Sequence, residues 1–85
     1  LSAGMGGEIT FADGAVQQTN FYDYPPLRLN QCPPITVQVL ENGPKIKGIG
    51  EPGTPPTAPA LANAIFALTG QRLRDLPLSK AVSFA

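Results

Sequence analysis

Glu51-Pro52-Gly53-Thr54-Pro55-Pro56-Thr57-Ala58-Pro59-Ala60-Leu61-Ala62-Asn63-Ala64-Ile65-Phe66-Ala67-Leu68-Thr69-Gly70 runs from a proline-stiffened loop into the one strong helix pattern of the chain. Pro52, Pro55 and Pro56 forbid a helix before about residue 57, because proline lacks the N–H and disfavours helical geometry in the residue before it. Thr57 is placed to act as N-cap, Pro59 falls in the first turn where its missing donor is harmless, and Gly70 stands at the C′ position. The spacing predicts a helix over about 57–69. Leu61, Ala62, Ile65, Phe66 and Leu68 cover one broad side of it, and Ala58, Ala60, Ala64 and Ala67 fill most of the rest. A helix this apolar all round is expected to be buried on more than one side. A chain of 85 residues has little with which to cover it, so the helix reads as built to pack inside a larger body.

Working upstream, Gly48, Gly50 and Gly53 formally match the dinucleotide fingerprint G-x-G-x-x-G. That fingerprint needs a buried strand entering the first Gly and a helix opening at once to aim its N-terminus at a pyrophosphate. Here only Lys45-Ile46-Lys47 separates the loop from Asn42-Gly43-Pro44, and the prolines delay the helix, so nucleotide binding is rejected. What the loop of about 48–56 does offer is Glu51, whose backbone is restricted by Pro52 and whose neighbour Gly50 permits close approach or unusual dihedrals. A carboxylate on rigid backbone suits general-base work. Spacing alone describes a solvated loop Glu equally well. No second carboxylate lies close in sequence, so a paired-carboxylate hydrolase gains no support.

Ile35-Thr36-Val37-Gln38-Val39-Leu40 is β-branched and alternating, which predicts a half-buried strand over about 35–40, entered after Pro33-Pro34 and closed by Glu41-Asn42-Gly43-Pro44. Cys32 before it has no basic partner or helix N-terminus nearby and reads as a small buried hydrophobe. Phe21-Tyr22-Asp23-Tyr24-Pro25-Pro26 reads as an extended crossing whose aromatics clamp it onto a core. Asp13-Gly14 between Glu8-Ile9-Thr10-Phe11 and Ala15-Val16-Gln17-Gln18-Thr19 predicts a β-hairpin over about 8–20, with Ile9 and Phe11 on one face. Downstream of the helix, Arg72 and Arg74 suit a helix C-terminus, and Ser79 to Ala85 carries no readable signal and is expected to fray. The fold class is α+β: a hairpin and a further strand packed with one buried helix.

Composition narrows the function classes. Six basic and six acidic residues cancel, and charged residues are 14% of the chain, which gives no electrostatic reason to expect nucleic acid as a partner. There is no His and only one Cys, so histidine triads, histidine zinc sites, internal disulfides and cysteine-held clusters cannot be assembled from this chain alone. Glycine and proline together exceed a fifth of the residues while apolar types reach 42%, a loop-rich chain with a modest core. Ala58 to Leu68, the longest mostly apolar stretch, is too short to span a bilayer. The start at Leu1, without a basic or apolar leader, is expected to reflect excision from something longer.

Gly48-Ile49-Gly50-Glu51-Pro52-Gly53-Thr54-Pro55-Pro56 with the helix that follows, then Thr69-Gly70-Gln71-Arg72-Leu73-Arg74-Asp75-Leu76-Pro77-Leu78, closely resembles the C-terminal part of the molybdopterin-binding large (β) subunit of molybdenum hydroxylases. The nearest type is the isoquinoline 1-oxidoreductase and membrane-associated aldehyde dehydrogenase branch of the xanthine dehydrogenase family. Gly7-Glu8-Ile9-Thr10-Phe11, Asp13-Gly14 and Asn20-Phe21-Tyr22-Asp23-Tyr24-Pro25 fit the same large subunit, so the resemblance covers roughly Gly7 to Leu78.

The resemblance implies that residues 1–85 are a C-terminal fragment of a molybdopterin-binding domain. The implied parent is an oxidoreductase that hydroxylates an N-heteroaromatic compound or an aldehyde with water as oxygen source. Glu51 is its implied general base, and no cofactor-contacting or metal-ligating residue is assigned to this chain. It further implies a molybdenum–molybdopterin cofactor in the cytosine dinucleotide form, 2Fe–2S clusters on a small partner subunit, and a periplasmic or membrane-associated setting, with a cytoplasmic one left open. The isolated fragment is expected to bind no cofactor, to be inactive and to self-associate. The rival reading is a free-standing interaction module that docks through its apolar helix.

Overall fold

In a computed structural model of the chain, residues 1–84 are described. The hairpin is built from its turn outward. Asp13 at φ 50° and Gly14 at φ 77° both take positive φ, the geometry whose twist matches two antiparallel strands and which Asp-Gly adopts cheaply. β1 (Phe11–Ala12) then pairs antiparallel with β2 (Ala15–Val16), Phe11 opposite Val16 and Ala12 opposite Ala15. Beyond that short ladder, the Gln17 N–H donates to the Thr10 carbonyl at 2.9 Å. The Gln18 side chain grips Thr10 twice, accepting from its N–H at 2.7 Å and donating to its hydroxyl at 2.9 Å. Phe11, on the face expected to meet a core, is 70% exposed.

Two helices frame the rest: α1 (Ser2–Gly6) and α2 (Thr57–Thr69). α2 ends where Gly70 turns left-handed at φ 74°, its N–H reaching the Phe66 carbonyl at 2.8 Å. The Thr69 hydroxyl also donates to the Ile65 carbonyl at 2.7 Å, so the last turn is closed twice. Arg72 folds back over α2, its guanidinium 3.5 Å from the Phe66 ring centroid and 3.1 Å from the Asn63 side-chain oxygen. That arrangement combines a cation–π contact with compensation of the helix C-terminus.

α1 has no counterpart in the sequence reading. It packs on α2 where Gly4 comes close to Ala58; a Cβ built on Gly4 would stand 3.5 Å from the Ala58 Cα and Cβ. It also touches the 3-10 turn Leu78–Lys80, which follows the cis Leu76–Pro77 bond. The fraying expected over Ser79 to Ala85 is therefore corrected for Ser79 to Val82, while Ala85 lies outside the described residues. Leu78, 2% exposed, is the most deeply buried side chain, the Val82 N–H donates to its carbonyl at 3.1 Å, and Lys80 pairs with Glu8. Burial of one leucine wins over a local sequence signal that is nearly blank. The Leu27 N–H donates to the Ser2 hydroxyl at 2.8 Å and brings the proline-rich crossing against α1.

Three further expectations change. The run 35–40 is extended but unpaired: the described residues contain a single two-stranded sheet, β1 with β2, and Val37 is 80% exposed. A strand needs a neighbouring edge for its N–H and C=O groups, and the short hairpin offers none to this run. Phe21 and Tyr22 point to solvent rather than onto a core. Finally, α2 buries only Ile65, at 9% exposure, while Leu68 is 88% exposed. The α+β class stands, with far less covered surface than its apolar content could fill.

Two magnitudes state that deficit. The radius of gyration is 16.0 Å, against about 12 Å for a compact domain of this length. The accessible surface is 7367 Å², against roughly 4,800 Å² for a folded monomer of this mass. Sedimentation of the isolated 85 residues is expected to show concentration-dependent association, weakened by the pair Val37→Asp and Val39→Asp; a strictly monomeric chain at all concentrations would contradict this. Replacing Gly70 by Ala is expected to destabilise α2 by about 1 kcal/mol, because any L side chain is strained at this φ. A urea titration followed by helical circular dichroism measures that loss.

Candidate functional site

The loop of about 48–56 lies in a succession of bends and turns that lead into α2. Its hydrogen-bond accounting is short because Pro52, Pro55 and Pro56 contribute no N–H. The Thr54 N–H donates to the Glu51 carbonyl at 3.0 Å, and the Thr57 N–H donates to the Thr54 carbonyl at 3.2 Å. α2 then opens as the Ala60 N–H reaches the Pro56 carbonyl at 3.0 Å. Two consecutive turns thus connect the backbone of Glu51 to the first residue of the helix.

Thr57 differs from its expected role. The N-cap is Pro56, and Thr57 is the first helical residue, its hydroxyl donating backward to the Gly53 carbonyl at 2.7 Å. The hydroxyl therefore braces the loop rather than accepting from a free helix N–H. The signal for this was present in the sequence as a Thr four residues after a Gly, across two prolines, since threonine bonds readily to the carbonyl four residues back.

Glu51 is exposed, and among the described residues no hydrogen bond or ion pair engages its carboxylate. Gly48, Gly50 and Gly53 have negative or extended φ, and a Cβ at any of them would meet nothing within 4 Å. Neither the close approach nor the unusual dihedrals anticipated at Gly50 are found among the described residues. A shallow cleft of about 280 Å³ lies beside the loop, lined by Gly53, Thr54, Thr57 and Ala58 together with α1 residues and Leu76. Glu51 is not part of that lining. A larger cleft of about 380 Å³ opens between α1 and the crossing at Pro25 to Arg28.

Among the described residues no three His, Cys, Asp or Glu side chains gather as a metal-binding group, and no buried side-chain nitrogen or oxygen lacks a partner. The braced loop presents the Glu51 carboxylate to solvent. Arg72 and Arg74 are separate from this loop, Arg72 being occupied by Phe66 and Asn63. Cys32 is a half-buried free thiol.

No protein-family model matches the chain, and no solved structure matches it. Three curated proteins do. Over 83 residues the chain is 39% identical to the beta subunit of isoquinoline 1-oxidoreductase from Brevundimonas diminuta, covering 98% of this chain and 11% of that protein. Over 69 residues it is 39% identical to the membrane-bound aldehyde dehydrogenase (pyrroloquinoline-quinone) of Gluconacetobacter polyoxogenes, covering 81% of this chain and 9% of that protein. Over 74 residues it is 36% identical to a nicotinate dehydrogenase subunit from Pseudomonas putida, covering 85% of this chain and 6% of that protein. The chain thus spans about a tenth or less of the length of the relatives it matches.

Because no hydrogen bond or ion pair engages the Glu51 carboxylate among the described residues, Glu51→Gln is expected to leave the stability of the 85 residues unchanged to within about 0.5 kcal/mol, as read from urea unfolding. A larger loss would reveal a structural role for the carboxylate.

Proposed function

Since the chain resembles, over 81% to 98% of its length, the molybdopterin-binding subunits of the molybdenum hydroxylases, we propose that it is a segment of the large subunit of such an enzyme and that Glu51 is the general base. The observation that carries this reading is the free, exposed carboxylate on a proline-stiffened loop tied to α2. A proton acceptor must be ionised, accessible and held in place. Glu51 is exposed, and the two turns from Glu51 to Thr57 restrict where its backbone sits.

The reaction proposed for the whole enzyme replaces a carbon-bound hydrogen of the substrate by a hydroxyl derived from water, releasing two electrons and two protons. Glu51 accepts one of those protons from the water-derived hydroxyl as its oxygen bonds to the substrate carbon. When bound, the molybdenum–molybdopterin group would supply the electron-accepting capacity, most of it held by parts of the enzyme outside this chain. The substrate class is an N-heteroaromatic compound or an aldehyde, in keeping with the names of the three relatives. The proposal includes the cytosine dinucleotide form of the cofactor, 2Fe–2S clusters on a small partner subunit, and a periplasmic or membrane-associated location. One relative's name carries pyrroloquinoline-quinone, and molybdenum analysis of the holoenzyme separates that cofactor from the one proposed.

In the holoenzyme, Glu51→Gln is expected to lower turnover by ~10²–10⁴-fold with molybdenum content unchanged. Turnover near that of the unaltered enzyme, at full metal content, would remove Glu51 from the mechanism. The isolated 85 residues are expected to show no turnover.

A further inference from the structure

Between Glu51 and α2 the backbone has few ways to hold itself. Of the seven residues from Glu51 to Thr57, three are prolines without an N–H, and the N–H groups of Thr54 and Thr57 make one turn bond each. The hydroxyl of Thr57 adds the side-chain bond of this segment, to the Gly53 carbonyl at 2.7 Å. Thr57 thus donates twice from one position, its amide to Thr54 and its hydroxyl to Gly53, while its own backbone is the first residue of α2. Gly53 is two residues from Glu51, with only Pro52 between, so any drift of the Gly53 carbonyl is passed on to the Glu51 backbone through a ring that fixes φ.

We infer that Thr57 is the positioning residue for the Glu51 carboxylate, its hydroxyl holding the Gly53 carbonyl so that the loop leaves the end of α2 in one direction. This rests on the reading of Glu51 as the base. Gly53 is an exposed residue, so water can replace the threonine hydroxyl as the donor to its carbonyl. Loss of the hydroxyl therefore relaxes the loop without leaving a buried polar group unpaired. The consequence is geometric: a base displaced by a fraction of an ångström transfers its proton less well, and misplacement of ~1 Å costs on the order of 10²-fold in rate. Substrate binding, which the loop does not control in this reading, is left alone.

The experiment compares Thr57→Val, which keeps the shape and removes the donor, with Thr57→Ser, which keeps the donor, in the holoenzyme containing this chain. Glu51→Gln serves as the reference. Steady-state kinetics, molybdenum content and amide hydrogen exchange over residues 48–57 are measured on each. Thr57→Val is expected to lower kcat about tenfold at unchanged KM and metal content and to speed exchange at Thr54, and Thr57→Ser to restore both. If Glu51→Gln abolishes turnover while Thr57→Val keeps kcat within twofold, the positioning role is overturned and the base stands. A parallel loss of metal or a rise in KM with Thr57→Val would likewise overturn it, as a general folding defect. If Glu51→Gln leaves turnover intact, both the base and its positioning residue fall.

Discussion

The Leu78–Lys80 turn packs on α1 with Leu78 buried, and the tertiary structure of the described residues is organised around that burial. Among the described residues Leu78 is the large side chain most fully withdrawn from water, and α1 meets both the Leu78–Lys80 turn and, at Gly4, Ala58 of α2, while Lys80 pairs with Glu8. Burial of a leucine contributes roughly 1.5–3 kcal/mol, which is large against the surface ion pair, a contact worth about 0–1 kcal/mol between exposed groups. The cluster joins the two ends of the chain and anchors the N-terminal half of α2. Without it the hairpin, the crossing and the loop would be separate pieces on an open string.

The loop bearing Glu51 depends on that anchorage at one remove. It is too rich in proline to build a ladder of its own, and Ile46 and Ile49, just upstream, are exposed. Its order comes from the α2 end through the turn bonds at Thr54 and Thr57 and the Thr57 hydroxyl. Rigidity supplied by proline and by a helix terminus lets a loop hold a polar side chain in solvent-facing space without burying it.

The unused apolar surface belongs to the same picture. Phe11, Val37, Val39 and Leu68 are all exposed, on a hairpin, an extended run and a helix whose patterns each call for a covering layer. The surface in excess of a compact monomer, roughly 2,500 Å² by the mass scaling, is comparable with the area buried in extensive subunit interfaces. The match of this chain to a tenth or less of much longer relatives agrees with a segment whose covering layer is elsewhere.

Some of this was legible residue by residue. Asp13-Gly14 demanded a tight hairpin turn because few other pairs accept two positive φ values, and Gly70 demanded a helix end for the same reason. The three prolines before Thr57 excluded helix from the loop, and Glu51 stood out as the carboxylate they hold. These features are local: their energies come from dihedral angles and from atoms within four or five residues. What the sequence left open was long-range. Whether Ile35 to Leu40 becomes a strand depends on a partner edge, how much of α2 is covered depends on what packs against it, and the burial of Leu78 depends on α1, five residues with two glycines and no strong pattern. Pairing and burial are properties of two surfaces meeting, and one stretch of sequence specifies only its own half.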